Sequence, residues 1–223
     1  VMEYVKGADF GELLPNCKLV ERLDIIAEVC KGLDYIHSHG LVHRDVKPEN
    51  VLVSVTGDVK LADFGLGRAI EEESRLTQEG RAVGSVHYLA PEQASGKTID
   101  RWTDLYSVGV MLYRAATGVL PFIGRQREII AQHVHAVPQR PRQHDGSIPE
   151  ELELLILRLL EKDPQRRPQS AGAVQAELLR MLAAYWPVVS RDELRTIIGA
   201  KAGVLAGARR LKPADLATIQ GVT

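Results

Sequence analysis

The sequence predicts a mainly α-helical fold with a few short antiparallel strands, on three observations. Leu19, Leu23, Ile26, Cys30, Leu33 and His37 recur at alternating steps of four and three, which is the period of one helix face. The stretch from Asp104 to Thr117 is apolar nearly all round, as a helix buried on every side would be. Two short β-branched runs, Val51 to Val53 and Val59 to Ala62, flank Thr56-Gly57-Asp58, which reads as a hairpin turn.

Taken in order, Glu3 to Gly11 is short, mixed and glycine-punctuated, and is expected to be a connector. The helix carrying Leu19 to His37 follows Pro15 and Asn16 and is expected to stop at Gly40. The hairpin comes next. Residues 66 to 90 show no sustained period and hold the run Glu71-Glu72-Glu73, so they read either as a long loop that carries function or as a segment whose elements escape the sequence pattern. After the buried helix, Pro138 to Pro149 reads as a polar loop. Leu152, Leu155, Ile156, Leu159 and Leu160 form another helical stripe, and a last helix is expected from Ser170 to about Ala184. The tail from Tyr185 to Thr223 is rich in Ala, Gly and Arg with weak periodicity and reads as an appendage, its part from Ser190 on being a linker or a small accessory helix pair, or else a regulatory or partner-binding segment.

A chain of 223 residues is long enough to bury a sizeable core. Its formal net charge of −1 gives no electrostatic reason to expect nucleic acid or a membrane surface as partner. Cys17 and Cys30 are too few for a disulfide framework or a thiolate metal site, and fit a reducing, cytoplasmic compartment. No run approaches the length of a membrane span.

The chemistry sits in three polar clusters. In His43-Arg44-Asp45-Val46-Lys47-Pro48-Glu49-Asn50, Asp45 can accept or orient a hydroxyl proton and Lys47 can steady an anion. Asn50 can offer a carbonyl oxygen to a hard cation such as magnesium. Asp63-Phe64-Gly65 follows a strand, so a sharply turning backbone can project the carboxylate into a cleft. The third cluster, Gly84 to Glu92, leads into a proline-started helix. Each residue alone is ordinary surface chemistry. Together they are not, because a hairpin between Asn50 and Asp63 brings both to one place, where they can share a cation.

His43-Arg44-Asp45 through Asn50, then Asp63-Phe64-Gly65, then Ala90-Pro91-Glu92, resembles the catalytic core of the eukaryotic-like protein kinases. The resemblance covers about residues 1 to 184. Tyr88 to Ala94 and Asp104 to Gly109 most resemble the bacterial serine/threonine kinases. It implies a kinase-like large lobe with its hinge, using ATP and Mg2+ to phosphorylate Ser/Thr hydroxyls of protein substrates. By the same resemblance Asp45 would be the catalytic aspartate and Lys47 would contact the γ-phosphoryl group. Asn50 and Asp63 would hold magnesium. Met2 falls at the gatekeeper position, the backbone of Glu3 and Val5 would pair with adenine, Asp9 would reach the ribose, and Leu52 would pack under the base. Lys47 and Ser85 favour Ser/Thr substrates, while Arg44 implies switching by phosphorylation at Ser74 or Thr77. Glu92 and Arg167 are implied to form a buried ion pair, Asp104 to brace the His43-Arg44 turn, and His43 to be structural rather than a base.

The sequence departs from the family in one respect. No Gly-rich loop followed by a phosphate-contacting Lys strand, the mark of a kinase small lobe, occurs in it. Two readings follow: a working kinase represented without its small lobe, or a non-catalytic lobe fragment acting as a binding or scaffold module. The four polar residues Asp45, Lys47, Asn50 and Asp63 favour the first. Residues 1 to 223 alone are expected to show at most trace activity.

Overall fold

The computed structural model describes residues 5–63, 85–187 and 190–209. Strand β1 (Gly7–Asp9) leads into a one-turn helix α1 (Phe10–Leu13), so the expected connector is ordered. Its short, glycine-bearing sequence hid the strand because β1 is defined by pairing with a segment more than forty residues away. Helix α2 (Leu19–Ser38) follows, and Gly40 just past its end has a φ of 72°, as a glycine stop requires. Strands β2 (Val51–Ser54) and β3 (Val59–Leu61) form the expected hairpin. The sheet is antiparallel in the order β1-β2-β3, with Asp9 opposite Leu52 and Val51 opposite Leu61. Val51 and Val53 point into the core, while Leu52 and Ser54 face the other way.

Helix α3 (Pro91–Ala94) is a single turn, and α4 (Arg101–Thr117) is the buried helix. It begins at the Asp100 cap, whose carboxylate accepts from the Arg101 amide, and ends at Gly118 with φ 79°. Twelve of its seventeen residues are buried, which accounts for the missing polar stripe. Helices α5 (Gln126–His135), α6 (Pro141–His144), α7 (Glu150–Leu159) and α8 (Ala171–Tyr185) complete the lobe. The single turn α6 lies inside the segment expected to be a loop, where Pro141 starts it. Helices α2, α4, α7 and α8 enclose one core, with Leu23, Ile26, Leu33, Leu105, Met111, Leu155 and Leu178 fully buried or nearly so. No helix among the described residues is long and apolar enough to cross a membrane.

The last described element departs from the weak periodicity of the tail. Helix α9 (Arg191–Arg209) lies against β1, β2 and α2, and buries Leu194, Ile198 and Ala202. Ser190 and Glu193 form a capping box at its start: the Ser190 amide donates to the Glu193 carboxylate at 2.8 Å, and the Ser190 hydroxyl accepts from the Glu193 amide at 3.2 Å. Arg191 bridges Asp24 and Glu28, Arg195 meets Asp58, and Lys201 meets Glu21. The two carboxylates sharing Arg191 respond in opposite senses. Burial raises the Asp24 carboxyl above its ordinary range despite the guanidinium. At Glu28 burial again pushes upward, but Arg191 and Lys31 outweigh it and the net shift is down. Between the ion pairs, Gly199 lies flat on the β2–β3 turn, where a Cβ would sit 2.5 Å from the Val55 carbonyl oxygen.

Candidate active site

The site begins at the loop between α2 and β2. Asp104, on the first turn of α4 and 1% exposed, accepts the His43 amide on Oδ2 and the Arg44 amide on Oδ1, both at 2.8 Å. Its Oδ2 also receives His37 Nε2 at 2.8 Å. A buried carboxylate is expensive unless donors surround it, and here three converge. Asp104 thus braces the turn, as the resemblance implied. The His37 contact was not visible in the sequence, where His37 reads as the last member of an apolar stripe.

His43 is fully buried, and its ring takes part in two bonds that settle its tautomer. Nε2–H donates to the Ala62 carbonyl at 3.0 Å, while Nδ1 accepts the Asp45 amide at 3.4 Å. Through these two backbone contacts His43 ties the loop to the strand end. Arg44 and Asp63 are the two non-glycine residues with positive φ among those described, at 69° and 55°. Each left-handed residue costs roughly 1–2 kcal/mol, and such strain concentrates where geometry matters more than stability.

Lys47 and Asn50 both bond directly to Asp45. Lys47 Nζ donates to Asp45 Oδ2 at 2.7 Å, and Asn50 Nδ2 donates to the same oxygen at 3.1 Å. Asn50 Nδ2 also donates to the Asp45 carbonyl at 2.8 Å. Asn50 is 4% exposed, so its side chain is locked, and with the amide nitrogen spent on Asp45 the oxygen Oδ1 is what it can offer a cation. The Ala62 amide donates to the Asn50 carbonyl at 2.9 Å, which carries Asp63 to the same end of the hairpin with its side chain exposed. Amide and carboxylate oxygens are the donors that magnesium prefers, so the residues present fit that ion. Among the described residues no cluster of three or more His, Cys, Asp or Glu competes as a metal site.

The predicted nucleotide contacts are only partly described. Met2 and Glu3 lie outside the described residues, as do Phe64, Gly65, Ser74 and Thr77, and so does the Ser85 side chain. Val5 is half-buried just before β1. Asp9 and Leu52 are cross-strand partners, with Leu52 half-exposed on the face opposite the core. Asp9 Oδ1 also caps α1 by accepting the Glu12 amide at 3.0 Å.

Behind the loop, the Glu92–Arg167 pair stands as implied. It is bidentate, at 2.7 and 2.9 Å, with the Arg167 side chain fully buried. Burial pushes the Glu92 carboxyl up, but the guanidinium outweighs it and holds the group below its usual range. Thr103 donates to the same carboxylate at 2.8 Å, and Arg167 also donates to the carbonyls of Trp102, Glu161 and Lys162. A second contact to the loop, missed in the sequence, comes from Gln93, whose Nε2 donates to the Arg44 carbonyl at 2.8 Å. Neither His37 nor Gln93 carried a local signal, since their partners lie 67 and 49 residues away.

Comparison with known proteins agrees with this geometry. A family model described as protein kinase domain matches residues 1–179. The chain is 39% identical over 185 residues to serine/threonine-protein kinase PknB of Mycobacterium leprae, covering 81% of this chain and 30% of that protein. It is 36% identical over 217 residues to PknB of Mycolicibacterium smegmatis (93% and 35%). It is 35% identical over 222 residues to PknB of Mycobacterium tuberculosis (94% and 35%). The chain spans about a third of the length of these curated relatives.

Proposed function

This chain belongs to the protein kinase domain family, and from that premise we propose that it transfers the γ-phosphoryl group of ATP to serine or threonine hydroxyls of protein substrates. The observation that carries the proposal is the bonded set Asp45–Lys47–Asn50, held by Asp104 and joined through Ala62 to Asp63. On this reading residues 1–184 are hinge and large lobe, and residues 185–223 are an appended segment. The free, buried Cys17 and Cys30 are in keeping with work in the cytoplasm.

In the reaction, the substrate hydroxyl oxygen forms the new bond to phosphorus and the β–γ bridging oxygen leaves with ADP. Asp45 orients that hydroxyl and takes its proton. Lys47 lies 2.7 Å from Asp45 and extends its ammonium to the phosphoryl oxygens as charge shifts there. Asn50 Oδ1 and the Asp63 carboxylate would hold magnesium, which when bound neutralises phosphate charge. Val5, Asp9 and Leu52 would receive the nucleotide where β1 pairs with β2, and the family resemblance adds Met2 and Glu3 to its contacts. Since phosphoryl transfer needs little covalent help, the contribution of these residues is positioning and fixed charge.

The test is peptide phosphorylation by the complete gene product against its Asp45→Asn variant. The expected result is a loss of kcat of roughly 10²–10⁴-fold, the usual contribution of a general base, with KM for ATP within about twofold. Turnover by Asp45→Asn equal to that of the unmodified protein would refute the assignment.

A further inference from the structure

Gln93, the third residue of α3, uses both ends of its side-chain amide. Its Oε1 accepts the Ala90 amide at 3.0 Å, closing the start of its own turn, and its Nε2 donates to the Arg44 carbonyl at 2.8 Å. That carbonyl belongs to the peptide unit immediately before Asp45. The nitrogen side of the same unit, the Asp45 amide, is held by His43 Nδ1, and the preceding Arg44 amide is held by Asp104. Arg44 has a φ of 69°, a backbone state that relaxes unless its surroundings over-determine it. Asp104 and His43 fix the loop from the side of α4 and the strand end. Gln93 approaches from α3.

We propose that Gln93 is a positioning residue for Asp45: by clasping the Arg44 carbonyl it sets the peptide plane from which the Asp45 side chain is aimed. The consequence is a mechanical link. Gln93 follows Glu92, which Arg167 anchors in the core, so the segment that enters α3 and the aim of Asp45 are seated together. This rests on the reading of Asp45 as the proton acceptor.

Two variants separate the clasp from the cap. Gln93→Glu keeps an oxygen for the Ala90 amide but turns a carboxylate oxygen toward the Arg44 carbonyl, so the cap survives and the clasp is lost. Gln93→Lys keeps a donor for the carbonyl and loses the acceptor. Positioning predicts that Gln93→Glu loses roughly 10–100-fold in kcat, the scale of a misplaced catalytic group, with KM for ATP and melting temperature near the unmodified values. Gln93→Lys keeps kcat within about threefold while melting lower, because its hydrogen bond to the loop remains. A merely structural cap predicts the reverse order, and that order overturns the proposal. Amide exchange in the 223-residue chain decides the point without turnover. The Asp45 amide should exchange faster in Gln93→Glu than in Gln93→Lys, and equal rates overturn the clasp. Failure of the kinase reading shows elsewhere, in an Asp45→Asn variant as active as its parent.

Discussion

Replacing Gly199 by alanine tests whether α9 is part of the lobe or a helix that merely follows it. In a free helix the change stabilises by about 1 kcal/mol, because glycine is the poorest ordinary helix former. In the docked helix the added Cβ meets backbone, at 2.5 Å from the Val55 oxygen, 2.8 Å from the Gly57 nitrogen and 3.0 Å from the Thr56 carbonyl carbon. None of these atoms can swing aside. Ordinary contact begins near 3.4 Å, so α9 must lift by about 1 Å and loosen its hold on Leu194 and Ile198. Overpacking of this kind costs roughly 1–3 kcal/mol, which exceeds the propensity gain and reverses the sign. Gly203, one turn on, is the control: a Cβ there sits 3.7 Å from Val55 Cγ1, an ordinary contact, so Gly203→Ala should stabilise by up to about 1 kcal/mol. Urea denaturation, read together with amide exchange across α9 and residues 54–58, measures both. If Gly199→Ala stabilises as much as Gly203→Ala does, the docking is wrong.

The Glu92–Arg167 pair should be costly to break and cheap to replace. Arg167→Ala leaves a buried carboxylate without its counter-ion, and should lower unfolding free energy by roughly 3–5 kcal/mol, whereas a paired apolar replacement should lose far less; equal losses in urea melts would contradict this. His133 is fully buried against Phe122 and Tyr106, and desolvation, helped by the Lys162 charge, lowers its pKa from 6.5 to about 3. The unfolded chain therefore binds a proton that the native state refuses. The neutral-ring contribution is complete above pH 6.5 and falls away as pH drops toward 3. His133→Phe should flatten the slope of stability against pH in that window, and an unchanged slope in denaturation between pH 4 and pH 7 would show that another group dominates.

How much was legible follows from how far apart the interacting residues are. The stripe on α2, the all-round apolar α4 and the Thr56-Gly57-Asp58 turn are written in residues a few positions apart, where helix and hairpin periods act. The cluster Asp45, Lys47, Asn50 was readable for the same reason, and its contacts span five residues or fewer. The Ser190–Glu193 capping box was also present in the tail as a local signal, but the Ala and Gly around it diluted the period of Leu194, Ile198 and Ala202. Strand β1 could not be read, since three residues become a strand only by lying beside β2.

The sequence by itself determined which side chains can do chemistry and the order in which helices and hairpin occur, because propensity, period and turn geometry act locally. Only the tertiary structure decided that His37, His43 and Arg44 meet at one buried carboxylate on α4, that Gln93 holds the Arg44 carbonyl, and that α9 seats its glycine face on the hairpin. Those contacts join residues far apart in the chain, and they exist because a buried polar group must find a partner wherever packing happens to bring one.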